Sequence, residues 1–150
     1  MNILIIKHGS IGDFVMSIGS IRSVRNKFQK NKIYLLTTTL IKSKFFKMPY
    51  IDEIFIDDRK SNLDFIKYLL KLKKFNISLI IDLQNSQRTE FYHLFTRIFF
   101  KHIKINSSRN FAQIRYRIPP HGHEHVCEGL NNQLKLIEIN NFFEPNLEWL

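Results

Sequence analysis

Asn2-Ile3-Leu4-Ile5-Ile6-Lys7-His8-Gly9-Ser10-Ile11-Gly12-Asp13 is the stretch that decides the fold. Asn2–Lys7 is a continuous β-branched apolar run, the composition of a strand covered on both faces in a parallel sheet. His8–Asp13 is a tight passage bearing two glycines. Beyond it, apolar residues recur at Phe14, Ile18, Ile21, Val24 and Phe28, the spacing of one helix face. A buried strand that passes through a short glycine turn into a helix is the opening of a β-α-β unit.

The alternation continues outward from there. Lys32–Thr37 reads as a second strand, followed by a short helix around Leu40–Phe46 that Pro49 stops, because proline has no amide donor and clashes with a continuing helix. Glu53–Ile56 reads as a third strand, closed by Asp57-Asp58-Arg59-Lys60, with Ser61 or Asn62 as cap of the next helix. That helix places Ile66, Leu69, Leu70 and Lys73 on one side and Lys67, Lys71 and Lys74 largely opposite. Ile77–Leu83 is the fourth strand, Gln84-Asn85-Ser86 a turn, and Phe91, Leu94, Phe95, Ile98 and Phe99 mark another helix. His102–Ile105 reads as a short fifth strand. Residues 106–122, with Arg109, Arg115, Arg117, Pro119 and Pro120, read as a functional or connecting loop, and a helix is expected from near His123 to about Glu138. The pattern predicts an α/β protein: a parallel sheet with helices on both faces. In such sheets ligands sit at the carboxyl ends of the strands, which makes the turns 8–13, 57–62 and 84–88 the candidate sites.

The chain of 150 residues suits one ordinary domain, and at 44% hydrophobic residues it can bury a core. Its single cysteine, Cys127, allows no internal disulfide and fits a reducing cytoplasm. Within an apolar helical stretch it reads as a small core hydrophobe. No apolar window reaches the length of a membrane span or a signal-peptide core, so a soluble or peripheral protein is expected. The net charge of +10 is uneven: residues 1–120 hold 22 Lys/Arg against 8 Asp/Glu, and residues 121–150 one Lys against five Glu. A basic body points to a nucleic acid, an anionic membrane or a phosphorylated substrate. The abundance of Ile, Lys, Asn and Phe also fits a genome poor in G and C, where Lys-rich surfaces arise without a partner. The lysines are scattered over several elements and no RRM, KH or helix-turn-helix signature is present, so no nucleic acid is expected and a basic nucleic-acid-binding protein stays only as a further alternative.

The first turn is neither a GxGxxG fingerprint nor a P-loop, since the glycine spacing is wrong and no Gly-Lys-Ser/Thr follows. It does place the Asp13 carboxylate at a helix start. That carboxylate reads either as a helix cap or as a general base exposed at the strand ends. His121-Gly122-His123-Glu124-His125 offers zinc donors, but only His121 and His125 share a helix face and no cysteine pair completes a site. These histidines read as cap or loop residues, and no metal is expected.

The run Ile3–Ser17 resembles the opening of the ADP-heptose:lipopolysaccharide heptosyltransferases (glycosyltransferase family 9): an apolar strand, a basic residue, a small-residue loop, then Gly-Asp before a helix. Gly19 stands where that family usually has a proline. Pro49-Tyr50-Ile51-Asp52-Glu53-Ile54 with Asp58-Arg59 resembles its third-strand segment. Ile81-Asp82-Leu83-Gln84-Asn85-Ser86-Gln87-Arg88 resembles its Asp-Leu-Gln-Gly-x-x-Arg turn, with Asn85 where glycine is common. Arg115-Tyr116-Arg117 resembles the approach to its interdomain linker. The resemblance implies a Rossmann-like amino-terminal half of a GT-B glycosyltransferase, taking residues 1–122 as the acceptor-side domain and 123–150 as a helix and linker toward a donor-binding domain that the chain lacks. It implies Asp13 as catalytic base, with Lys7, Ser10, Gly12, Arg59, Lys60, Arg88 and Arg117 contacting substrate. The acceptor would be an anionic lipid A or inner-core glycolipid, met at the cytoplasmic face of the inner membrane. The donor, a nucleotide-sugar such as ADP-heptose, would sit in a separately encoded or lost second half, and no other cofactor is implied. Without that half, a non-catalytic glycolipid-binding or pairing module is the competing expectation, and Phe142, Phe143 and Trp149 would stand exposed in a linker cut loose from its packing partner.

Overall fold

The computed structural model describes residues 1–120 and 124–150. Six strands, β1 (Asn2–Ile6), β2 (Lys32–Thr37), β3 (Glu53–Ile56), β4 (Ile77–Asp82), β5 (Lys104–Ser107) and β6 (Ile114–Arg115), form one sheet in the order β3-β2-β1-β4-β5-β6. Every neighbouring pair is parallel. Five helices alternate with them: α1 (Ile11–Lys27), α2 (Thr39–Phe45), α3 (Asn62–Lys74), α4 (Gln87–Phe99) and α5 (Val126–Lys135). Side chains of successive strand residues point to opposite faces. Ile3 and Ile5 of β1 therefore join one core with α1, α2 and α5, whereas Leu4 and Ile6 join a second core with α3 and α4. This is the doubly wound, Rossmann-like order, in which the chain changes direction across the sheet between β1 and β4.

β2 and β3 match the sequence reading residue for residue. β5 does not: it spans Lys104–Ser107 rather than His102–Ile105. Its end admits the buried polar residues Asn106 and Ser107 because both are hydrogen-bonded, Asn106 Nδ2 to the Ile114 carbonyl at 3.1 Å and Ser107 Oγ to Asp82 Oδ2 at 3.1 Å. The segment read as irregular loop contains β6. α5 runs only over Val126–Lys135, capped by His125, whose Nδ1 accepts from the Cys127 amide at 3.3 Å. His121, Gly122 and His123 lie outside the described residues.

Both helices on the second face turn a different side to the sheet than their apolar spacing suggested. α3 buries Tyr68 and Leu72, while Ile66 and Leu70 are exposed. α4 buries Thr89, Tyr92, His93 and Thr96 and leaves Phe91, Ile98 and Phe99 outside. The buried polar stripe is held by partners: Tyr68 Oη lies 2.8 Å from Thr96 Oγ1, and Thr96 donates to the Tyr92 carbonyl at 2.7 Å. Hydrogen-bonded hydroxyls and histidines are thus tolerated where apolar side chains were expected.

The expectation that the terminal aromatics stand exposed also fails. Trp149 packs edge-on to Phe45 with ring centroids 6.1 Å apart, and Phe142 and Trp149 join the core of α1, α2 and α5. The Arg22 guanidinium lies 4.2 Å from the Phe143 ring centre. Gly19 makes this docking feasible. A Cβ there would stand 2.0 Å from the Phe143 carbonyl oxygen, so the tail crosses α1 only where α1 has no side chain. Cys127 is half-buried, its Sγ donating to the Met16 carbonyl at 3.4 Å, and burial pushes its thiol pKa up. Among the described residues no helix is long and apolar enough to cross a membrane.

Candidate functional site

β1 and β4 are neighbours at the point where the strand order reverses, and the crevice beyond their carboxyl ends is where this architecture holds ligands. The turn 8–13 leaves β1 there and the turn 84–88 leaves β4. Gly9, at φ 85°, takes the sharp left-handed bend that lets the chain enter α1. A Cβ on Gly9 would lie 3.5 Å from Asp13 Cβ and 3.6 Å from Gln84 Oε1, which measures how closely the two turns converge. Gln84 also accepts from the His8 amide at 3.1 Å and so ties them together.

The helix cap is Ser10, whose Oγ accepts from the Asp13 amide at 3.3 Å. Asp13 is therefore the third residue of the helix, exposed, with no hydrogen bond to its carboxylate among the described residues. The cap is thus Ser10, and the Asp13 carboxylate stands exposed in the first turn of α1, at the positive end of the helix dipole. Lys7 follows β1 and is 7% exposed, without an ion pair within 4.0 Å among the described residues. Burial pulls its amino group below the ordinary lysine range, and the nearby Asp13 and Asp82 carboxylates oppose that shift. Gly12 faces open space: a Cβ there meets nothing within 4 Å.

The third turn reaches this crevice through a carboxylate. Asp57, just past β3 and 1% exposed, lies 3.1 Å from His8 Nε2 and accepts from Tyr92 Oη at 2.6 Å and Arg88 Nη2 at 3.0 Å. Burial alone would raise its pKa, but the hydrogen bonds from His8, Tyr92 and Arg88 outweigh it and hold the carboxyl well below its usual range. Arg88 is thus anchored by Asp57 over the Tyr92 ring and only partly turned to solvent. Arg59 and Lys60 are exposed at the same edge. Arg59 sits at φ 58°, left-handed, its amide donating to Asp57 Oδ1 at 3.1 Å. Backbone strain of this kind costs on the order of 1 kcal/mol and is concentrated at functional turns.

A second buried carboxylate organises the other side. Asp82 Oδ2 lies 2.7 Å from His93 Nε2, and its Oδ1 accepts from the amides of Gln84 and Asn85, each at 2.9 Å. Burial would raise its pKa, and His93 above all holds it down. Asn85 occupies φ 52°, a conformation that glycine and asparagine both tolerate. Its side chain donates to Gln133 Oε1 at 2.9 Å and accepts from the Ser108 amide at 2.9 Å. Beyond it lies a groove of about 290 Å³ lined by Asn85, Arg109, Tyr116, Glu124 and Gln133. A neighbouring one of about 490 Å³ is lined by Arg109, Arg115 and Arg117. Arg117 therefore gathers with two arginines on the β6 side, away from Asp13. The sequence placed Asp57 in a candidate turn and Asp82 in a family-like motif without giving either a role, and it did not single out Tyr92, His93 or Gln133. The signal for the two carboxylates was there: each closes one of the apolar runs β3 and β4.

Solved structures with this fold include a glycosyl transferase family 9 protein from Veillonella parvula (14% identity, TM-score 0.74, over 98% of this chain and 45% of that one). E. coli heptosyltransferase WaaC with ADP-2-deoxy-2-fluoro heptose matches at 13% identity and TM-score 0.60, over 99% of this chain and 51% of that one. E. coli ADP-heptose lps heptosyltransferase II matches at 21% identity and TM-score 0.54, over 64% and 28%. The chain is thus similar in fold to GT-B glycosyltransferases and spans about half the length of those structures, or less. No family model and no curated protein matches the sequence.

Proposed function

We propose that this chain is the acceptor-side half of a heptosyltransferase-like glycosyltransferase, with Asp13 as the general base. The observation that carries the reading is the exposed Asp13 carboxylate at the switch point, which with Ser10 as the cap has no hydrogen-bond partner among the described residues and lies close enough to the buried Lys7 ammonium to raise its pKa. As the acceptor hydroxyl attacks the anomeric carbon, the bond from that carbon to the diphosphate oxygen breaks, the nucleoside diphosphate leaves, and a positioned carboxylate takes the hydroxyl proton. Lys7, Arg59, Lys60 and the outer part of Arg88 supply positive charge for an acceptor bearing carboxylates or phosphates, as in lipid A and inner-core sugars. Gly12, open to the crevice, lets a sugar approach the backbone beside Asp13. The nucleotide-sugar, ADP-heptose in the reading favoured here, is bound by a second domain facing this edge.

The test pairs this chain with a donor-binding half, in one polypeptide or two, and measures heptose transfer from ADP-heptose to a lipid A–Kdo acceptor. Transfer that requires both halves supports the reading. Saturable acceptor binding by this chain with no transfer in any pairing supports a non-catalytic glycolipid-binding module instead.

A further inference from the structure

The outer surface of α3 and α4 is apolar where solvent-facing helices are normally polar. Leu63, Ile66 and Leu70 of α3 and Phe91, Ile98 and Phe99 of α4 are each between 48% and 62% exposed. The two stripes form one surface, because an aromatic ladder joins the helices: Phe65 lies 5.0 Å from both Phe91 and Phe95 between ring centres, and Phe95 lies 4.7 Å from Phe91. An apolar patch of this extent on a soluble domain marks a binding surface.

The charge around the patch identifies its occupant. Residues 59–74 carry Arg59, Lys60, Lys67, Lys71, Lys73 and Lys74 against one carboxylate, Asp64. Asp64 is itself engaged, accepting from the Lys60 amide at 2.9 Å. Residues 91–104 carry Arg97, Lys101 and Lys104 and no carboxylate. On α3, Lys67 and Lys74 are exposed one turn on from Leu63 and Leu70, which places them next to the apolar stripe, and the Lys74 ammonium lies 5.5 Å from the Phe75 ring centre. A nearly one-signed cationic rim around exposed Leu, Ile and Phe matches an anionic lipid surface, into which apolar side chains sink while lysines meet headgroups. Both helices begin at the carboxyl edge of the sheet, so Leu63 and Phe91 border Arg59, Lys60 and Arg88.

We propose that the α3–α4 face docks this protein on an anionic bilayer, with the candidate acceptor edge at the lipid surface. The orientation of that edge toward acceptor lipid rests on the function proposed above, but the docking itself does not.

The full chain is mixed with vesicles of phosphatidylcholine alone or with about one third phosphatidylglycerol, and the bound fraction is read by flotation. Binding to the anionic vesicles, weakened by salt, is expected. The Leu70→Glu/Phe99→Glu variant should lower the vesicle partition coefficient at least tenfold at an unchanged thermal midpoint. If it does not fold, Leu70→Ser/Ile98→Ser should lower it at least threefold. Lys27→Gln/Lys30→Gln, which lowers the net charge by the same two units on the far side of the sheet, should stay within twofold. Equal loss in the control would reduce the binding to net charge and overturn the proposal. So would unaltered binding in the apolar variants, or no vesicle binding together with self-association that those variants abolish, which would assign the face to a second copy. The readout needs no donor and no turnover, so absent transfer activity refutes only the reading of the previous section.

Discussion

The helices on the two faces of the sheet meet it differently. On one, α1, α2, α5 and the terminal segment bury Phe14, Ile18, Phe45, Leu130 and Leu134 against Ile3 and Ile5, as apolar periodicity dictates. On the other, α4 turns Thr89, Tyr92, His93 and Thr96 inward and its phenylalanines outward. The first face holds the domain together. The second gives up apolar contact to position Asp57 and Asp82 at the strand ends and to present an apolar surface outside. A fold departs from local rules where binding or chemistry demands it.

That contrast can be broken most forcefully at the two cores. Phe14→Ala should destabilise the chain by about 3–5 kcal/mol in denaturant unfolding, as a large aromatic deleted from a close-packed core. On the second face Asp82→Ala should cost about 3 kcal/mol, because His93, the Gln84 and Asn85 amides and Ser107 lose their common acceptor. A loss below about 1 kcal/mol there would mean that the polar stripe is incidental.

Gly19→Ala should cost about 1–3 kcal/mol by pushing the tail off α1, and the Trp149 fluorescence should shift to the red as its ring reaches water. The pH dependence follows from the depressed pKa values of Asp57 and Asp82. Their stabilisation is fully present above the unfolded-state value of about 4 and is lost progressively as pH falls toward the folded values, so the thermal midpoint should drop below about pH 4. Asp57→Asn should flatten that drop. The smallest effect belongs to the outer face, where Ile98→Ser should change stability by no more than about 0.5 kcal/mol, since that side chain contributes no core packing.

The sheet was legible in the sequence because its strands are short apolar runs bounded by charged residues, turns or proline. β2 and β3 could be drawn to the residue, and the switch-point turns followed from the alternation alone. The direction of α4 was not legible from its phenylalanines, although Thr89, Tyr92, His93 and Thr96 recur at the same helical spacing and would have shown a polar stripe. The pairing of His8 with Asp57 depends on strand order. Forty-nine residues separate them, and only the sheet brings β1 and β3 close enough for Asp57 to reach across β2. Nor could the sequence tell which residue caps α1, because Ser10 and Asp13 are both competent caps and only the backbone decides between them.

The decisive measurement is the transfer rate of Asp13→Ala in the two-half enzyme with acceptor saturating, alongside its thermal midpoint. A fall of about 10²–10⁴-fold with the midpoint unchanged is expected for a general base that caps nothing. A rate within a few-fold of the parent would contradict it and leave the crevice as a binding site without a base.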